Sequence, residues 1–431
     1  MGGSQTLDHA NQDVGEQARA RAYGMPLEQI DPSDPGLYRS DTWQPYLERL
    51  RKEDPVHWSV SPDKDVGSFW SITRYHDIVA VDTNHQVFSS EPAIGLQNPR
   101  EDFQLPMFIA MDPPKHDEQR KTVSPIVAPA HLTQLEPVIR ERAMKILDDL
   151  PIGEEFDWVD KVSIELTTMT LATLFDFPWD DRRKLTRWSD IATAAPETGI
   201  MGTTDPEEHE QRARAELFEC VDYFTRLWNE RVNAPPRSDL ISMLAHGEST
   251  RNMDRMEYLG NLILLIVGGN DTTRNTISGS IYALNQNPDQ DRILRSNPDL
   301  IPNMVSETIR WQTPLAHMRR TAKRDFEFGE KLIKKGDKVA MWFISGNRDE
   351  TVIERPNDFW IERPRPRQHL SFGFGIHRCV GNRLAELQLK IIWEEILKRF
   401  GRIEVVGPPR RVFSSFVHGY EYLPVVIPAR N

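Results

Sequence analysis

The decapeptide Phe372-Gly373-Phe374-Gly375-Ile376-His377-Arg378-Cys379-Val380-Gly381 holds one of only two cysteines in a chain of 431 residues. A thiolate is the form of cysteine that binds a metal, and it needs stabilising before it does so. A glycine-rich bend leading into a helix provides that through free backbone N–H groups and the positive end of the helix dipole. Phe372, Gly375, His377, Cys379 and Gly381 follow the spacing Phe-x-x-Gly-x-His-x-Cys-x-Gly. At about 5% per residue type, a match at all of these positions arises by chance in a chain of this length with a probability on the order of 10⁻⁴. Read alone, Cys379 is better taken as a buried structural thiol at a helix start; the full pattern favours a metal ligand.

A second group lies in Ile263-Leu264-Leu265-Ile266-Val267-Gly268-Gly269-Asn270-Asp271-Thr272-Thr273, within a long predicted helix over 254–284. The segment is apolar nearly all round, which predicts a buried helix. Each interior glycine costs roughly 1 kcal/mol relative to alanine. A bulky ligand against the bare backbone compensates for that, and so does a helix kink in which Thr272 bonds back to its own helix. Asp271 and Thr272 place an acid and a hydroxyl side by side in oily surroundings. A third group, Glu307 and Arg310, sits at a spacing of three residues, which puts carboxylate and guanidinium on one helix face. Ile301, Met304, Val305 and Ile309 nearby make that face a buried one.

The elements that must position these groups are mainly helical. Apolar residues recur at helical spacing over 132–150, 162–175 and 207–232, punctuated by Pro178 and Pro235-Pro236. Short strands are predicted at 57–60, 69–73, 325–328, 338–343, 402–406 and 424–427, a helix at 75–81 and a final helix over 381–400. Residues 1–23 are polar and read as a loose N-terminus, followed by one domain over 24–431. Hydrophobic content of 39% and eleven tryptophans fill a substantial core. The net charge of −12 argues against nucleic acid or an anionic membrane as the general partner. Cys220 and Cys379 have no paired spacing, which suits a reducing compartment. No stretch is long and apolar enough to span a bilayer, and the N-terminus has no signal-peptide pattern. The expectation is a cytoplasmic protein with no integral membrane segment.

The pattern around Cys379 resembles the haem-binding loop of the cytochrome P-450 family, and Gly268-Gly269-Asn270-Asp271-Thr272 resembles its oxygen-activation motif. The resemblance extends over nearly the whole chain, through Asp54-Pro55-Val56, Phe88-Ser89-Ser90 and Asn347-Arg348-Asp349. It implies the helix-rich, mainly α fold of that family, with small β-sheets and the haem between the long central helix and the cysteine loop. It implies haem b held by Cys379 as the metal ligand, with Phe372, Gly268 and Gly381 against the cofactor. His116, Arg120, Arg320 and His377 match the donors to its propionates, and Arg363 matches the third member of a structural triad with Glu307 and Arg310. Thr272 and Asp271 take the catalytic positions for dioxygen activation and proton delivery.

Within the family, the two motifs look like those of soluble bacterial alkane and fatty-acid terminal hydroxylases. The implied reaction inserts one atom of O2 into an unactivated C–H bond. The implied partners are a small hydrophobic substrate, a 2Fe-2S ferredoxin and a ferredoxin reductase drawing on NAD(P)H. Family topology places Ile94, Leu96, Met201, Leu264, Leu265, Gly268, Leu315, Met318 and Phe416 at the substrate, with 192–204 as an access lid. Arg378, Arg383, Lys390, Lys398 and Arg399 form either a docking face for an acidic ferredoxin or a solvated helix face. A monooxygenase of a bulkier terpenoid substrate is the alternative. A haem-thiolate isomerase or dehydratase would need neither Asp271 nor Thr272, and a haem sensor would need no substrate channel. The family often has Leu-Ala-Arg-x-Glu after the cysteine, whereas this chain has Leu384-Ala385-Glu386-Leu387-Gln388.

Overall fold

A computed structural model describes residues 2–431, with side chains described from residue 13. Helices dominate, and the strands form small sheets. The centre is the 32-residue helix Arg255–Gln286, started by Asp254, whose carboxylate accepts from the N–H groups of Met256 and Glu257. Such a side-chain cap satisfies donors that the first turn leaves open. Around it pack Glu165–Phe175, Arg183–Thr193, Pro206–Val232, Ile301–Gln312 and Asn382–Arg399. The helix Pro206–Val232 begins on the same logic, with proline at its first position and Asp205 accepting from Glu208 N–H. The helix Glu165–Phe175 is preceded by one π-helical stretch, Val159–Ile164, and closed by Asp176 in the left-handed region at φ 50°.

The main sheet runs in the order Val56–Val60, Ser68–Ile72, Lys338–Met341, Met318–Ala322, Phe88–Ser89. Ser68–Ile72 pairs in parallel with Lys338–Met341, which pairs antiparallel with Met318–Ala322 and sets Arg320 opposite Val339. Strand alternation turns Met318 and Arg320 to one face and Arg319 to the other. The elements predicted at 57–60, 69–73, 75–81, 325–328 and 424–427 are all present within one to three residues at each end.

Part of the segment read as a loose N-terminus is described as helix. A helix spans Gly2–Gly24, and its second half sits on Gln44–Glu53, with Ala22 buried, Arg19 paired to Glu48 at 2.8 Å and Arg49 donating to the Ala22 carbonyl at 2.7 Å. Polar composition conceals this because a few alanine contacts and a distant ion pair hold the segment. Among the described residues, no helix is long and apolar enough to cross a membrane.

Candidate active site: a thiol and a hydroxyl on one cavity

The cysteine loop is built from glycines and fastened from behind. Gly373 and Gly375 both have φ +64°, the left-handed region that glycine enters without strain. A β-carbon at Gly375 would come within 2.7 Å of the Asp82 carbonyl oxygen, so a side chain is excluded there. The Cys379 N–H donates to the Phe372 carbonyl at 2.8 Å, closing the turn. Cys379 is exposed only onto the cavity it lines, and desolvation by the surrounding protein pushes its thiol pKa up, while the N–H groups of Gly381 and Asn382 and the Arg120 charge favour the thiolate. Those N–H groups lead into Asn382–Arg399, as expected for a thiolate cradled at a helix start.

Behind the loop, Ser371 Oγ donates to the Ile309 carbonyl at 2.8 Å, and Leu370 N–H donates to Asn347 Oδ1 at 2.6 Å. Glu307 accepts from Arg310 at 2.7 and 2.8 Å and from Arg363 at 2.9 and 3.1 Å. Arg310 also donates to the carbonyls of Asn347, Pro356 and Asp358. Burial alone would raise the Glu307 pKa, but the two arginines outweigh it and hold it below the usual value. The three residues anchor the segment that carries the loop and lie outside the cavity.

In front of the loop lies a cavity of about 1580 Å³, its open mouth included. Cys379, Val380, Leu384 and Leu389 line it from the loop and its helix, and Leu264, Leu265, Gly268 and Thr272 line it from the central helix. Thr272 Oγ1 donates to the Gly268 carbonyl at 3.0 Å within a continuous helix. The paired glycines divide their work. A β-carbon at Gly268 would meet nothing within 4 Å, whereas one at Gly269 would lie 2.9 Å from Leu171 Cδ1. Gly268 therefore leaves bare backbone on the cavity, and Gly269 lets the neighbouring helix approach.

Asp271, next to Thr272, does not reach this space. It is fully buried, accepts from Ser189 Oγ at 2.7 Å and faces Arg274 at 3.2 Å, which itself pairs with Asp190 at 2.7 Å. Burial pushes its pKa up, with Arg274 opposing.

One edge of the cavity collects polar groups. His116, Arg120, Arg320, Phe372, His377 and Gly381 all border it. The rings of His116 and His377 lie 4.1 Å apart, and His116 Nε2 and both His377 nitrogens are buried without partners. Burial, then Arg320, holds the His377 pKa down to about 2. Buried donors left open beside two arginines are a demand for an anion. Arg319 points elsewhere, donating to the Gln97 carbonyl at 3.2 Å.

Four expected cavity residues are not there. Leu96 is packed in the small core with Trp43, Phe69 and Trp342, and the Ile94 carbonyl accepts from Arg319 N–H at 2.8 Å. Met201 is buried, with its carbonyl bonded to Arg212 at 2.7 Å, and Phe416 lies edge-on to His317 at 5.4 Å. Family topology placed their loops at the cavity, but none of the four borders it, and Leu96 and Met201 are packed into cores. Phe108, Ile109, Ile126, Val127, Leu171 and Leu174 take part in the lining instead. Asp82 was also missed. Its sequence signal is an acid four residues after Ile78, on the buried stripe of Tyr75–Thr83.

A thiol opposite a bare-backbone helix, with two arginines and partnerless imidazole nitrogens along one edge, suits a flat, dianionic, metal-bearing group. The family model described as cytochrome P-450 matches residues 71–411. The chain belongs to the cytochrome P-450 family.

This cytochrome P-450 is 38% identical over 416 residues to linalool 8-monooxygenase from Pseudomonas putida, covering 93% of this chain and 99% of the relative. It is 33% identical over 390 residues to a steroid C26-monooxygenase from Mycolicibacterium smegmatis, covering 87% of this chain and 88% of the relative. The solved cytochrome P-450-153 from Novosphingobium aromaticivorans matches with a TM-score of 0.85 at 47% identity, covering 92% of this chain and 99% of that one. The chain is a cytochrome P-450 monooxygenase of the expected fold, which in this family uses haem and electrons from outside redox proteins.

Proposed function

We propose that this cytochrome P-450 hydroxylates the chain-end carbon of an acyclic hydrophobic molecule, a medium-chain alkane or fatty acid. The carrying observation is the distribution of polarity in the cavity. Phe108, Leu264, Leu265, Leu315 and Met318 line it, and its cationic and ionisable side chains are confined to Asp82, His116, Arg120, Arg320, His377 and Cys379, among the described residues. A fatty-acid carboxylate then has to stay at the mouth, with its methyl end inside. Two relatives add support, because carbon 8 of linalool and carbon 26 of a steroid side chain, the positions they oxidise, are both chain-end carbons.

Cys379 Sγ would hold the iron, and His116, Arg120, Arg320 and His377 would hold the propionates. Bound there, the haem supplies the activation of O2 and the oxidation of the C–H bond, as thiolate ligation favours. The apolar wall orients the chain end and excludes water. Thr272 Oγ1 holds a hydroxyl proton at the cavity, and Asp271 is the acid behind it, reached from outside through Asp190, which stays partly exposed.

Electrons come, in this reading, from a 2Fe-2S ferredoxin and its NAD(P)H-dependent reductase in the cytoplasm. Of the five cations that could form a docking face, three are already paired. Lys390, Lys398 and Arg399 are engaged by Glu394, Glu395 and Asp148. Arg378 and Arg383 are exposed and make no ion pair among the described residues. The departure at Glu386 is matched by an ion pair to Arg367 at 3.2 Å.

A second reading, an acyclic terpenoid substrate, is favoured by the linalool-oxidising relative. The test is a reduced carbon-monoxide difference spectrum, then spin-shift titration and product analysis with alkanes, fatty acids and linalool. A missing thiolate signature overturns the haem reading. Spin shift by linalool with none by any linear chain overturns the alkane and fatty-acid assignment.

A further inference from the structure

Asp82 is a buried acid in a place that its own helix disfavours. It sits in the last turn of Tyr75–Thr83, where the dipole opposes negative charge, and is only 3% exposed. Taking a carboxylate out of water is costly unless it is paired and hydrogen-bonded. Its compensation comes from far along the chain. Oδ1 accepts from Arg320 Nη2 at 2.6 Å, and Oδ2 accepts from Phe374 N–H at 2.7 Å. Even so, burial pushes its pKa up against the pull of Arg320 and the Phe374 N–H.

The same residue shapes the loop sterically. Its carbonyl oxygen and Oδ2 lie against Gly375 and Gly373, where β-carbons would approach to 2.7 and 3.3 Å. One carboxylate therefore spans two parts of the site. It holds the N-terminal half of the loop that ends in Cys379, and it holds the guanidinium of Arg320 at the cavity edge. The second arm of Arg320 donates to the Arg319 carbonyl at 2.9 Å, so the guanidinium is fixed from two sides.

We propose that Asp82 is a positioning residue of the haem site, whose carboxylate couples the Cys379 loop to Arg320 so that thiolate and propionate donor are set as one unit. This rests on the haem reading of the cavity. It assigns no chemistry to Asp82 itself, which acts through the loop and the arginine.

The test uses the holoenzyme and its Asp82→Asn, Arg320→Gln and doubly substituted forms. Asparagine keeps the size but offers one acceptor oxygen for two donors, so one of the two bonds must fail. Two readouts apply besides turnover: the rate of haem transfer to an excess of an apo-globin, and the fraction of the reduced carbon-monoxide complex that keeps the thiolate signature. Asp82→Asn should release haem at least tenfold faster and lose part of the thiolate band. The double variant should be no worse than the poorer single one, a coupling of at least tenfold, or about 1.4 kcal/mol.

Wild-type haem release and a full thiolate band in Asp82→Asn would overturn the inference, whatever the melting temperature. Strictly multiplicative effects in the double variant would overturn it too. If the parent enzyme itself shows no thiolate signature, it is the haem reading that fails.

Discussion

Thr272 and Asp271 are neighbours in sequence that serve different surroundings: the threonine borders the cavity, and the aspartate is enclosed by Ser189, Thr193 and Arg274. Successive helical residues point about 100° apart, so a long helix buried on all sides can address a cavity with one and a packing interface with the next. In the proposed mechanism the pair divides into a hydroxyl at the reacting space and an acid held in reserve behind it.

That division predicts two different defects. Thr272→Ala should keep consuming NAD(P)H while releasing peroxide, with product formation falling about 10²-fold, the usual scale of a lost proton-transfer group. Asp271→Asn should slow product formation by a similar factor and enlarge the solvent isotope effect, with haem content unchanged. Coupling ratios for both variants are read by comparing NAD(P)H, peroxide and product. A Thr272→Ala enzyme as well coupled as its parent would remove the hydroxyl from the proton path.

Glu307 should be the most sensitive single site for stability. It is fully buried with two arginines on it, and Glu307→Gln leaves both guanidinium groups short of their counter-charge. Breaking a buried pair from one side costs about 3–5 kcal/mol. Its depressed pKa means that its contribution is present above about pH 4.3, the unfolded value, and is lost as pH falls through the lower folded value. Urea unfolding near neutral pH measures the first effect. A loss under about 1 kcal/mol would show that the triad is dispensable.

Two buried imidazoles predict a second acid sensitivity at milder pH. Burial holds the His317 pKa down to about 4 and, with Arg310 nearby, the His369 pKa down to about 3. Unfolded histidine titrates near about 6.5, so below that pH the unfolded chain binds protons that the folded chain refuses. Stability is therefore full above about pH 6.5 and falls with pH until the folded values are reached. By pH 5.5 each group should contribute a loss of about 1.4 kcal/mol. Unfolding free energies at pH 7.5 and 5.5 give the total, and His317→Gln should remove its share of the difference. A parent protein equally stable at both would contradict the assignment.

What could be read before folding was the local chemistry. Cys379 with its glycines, Gly268 to Thr272, and the Glu307–Arg310 spacing each lie within one short segment, where spacing alone dictates who faces whom. Arg320 rather than Arg319 came from the family resemblance, and the strand pairing then turns the two to opposite faces. Asp82 escaped because its partners lie 238 and 292 residues away, and only the folded chain brings them to one carboxylate. Ile94, Leu96, Met201 and Phe416 were misplaced for a related reason. Family topology locates a loop but not which way each side chain turns, and here Leu96 and Met201 pack into cores.

The corrected lining makes a prediction about substrate size that separates real from apparent pocket residues. Leu264 borders the cavity from the central helix, one turn before Gly268, while Leu96 is buried in a different core. Leu264→Phe should shorten the space available to a linear chain and weaken the longest accepted substrates most. One methylene in an apolar pocket is worth about 1–3 kcal/mol, so the spin-shift affinity for the longest chain should fall about tenfold or more. Leu96→Val should leave the chain-length profile unchanged and lower only stability. Titration of both variants with a homologous series of alkanes or fatty acids gives the profiles. A shifted profile for Leu96→Val, with none for Leu264→Phe, would mean that the substrate occupies other space than this cavity.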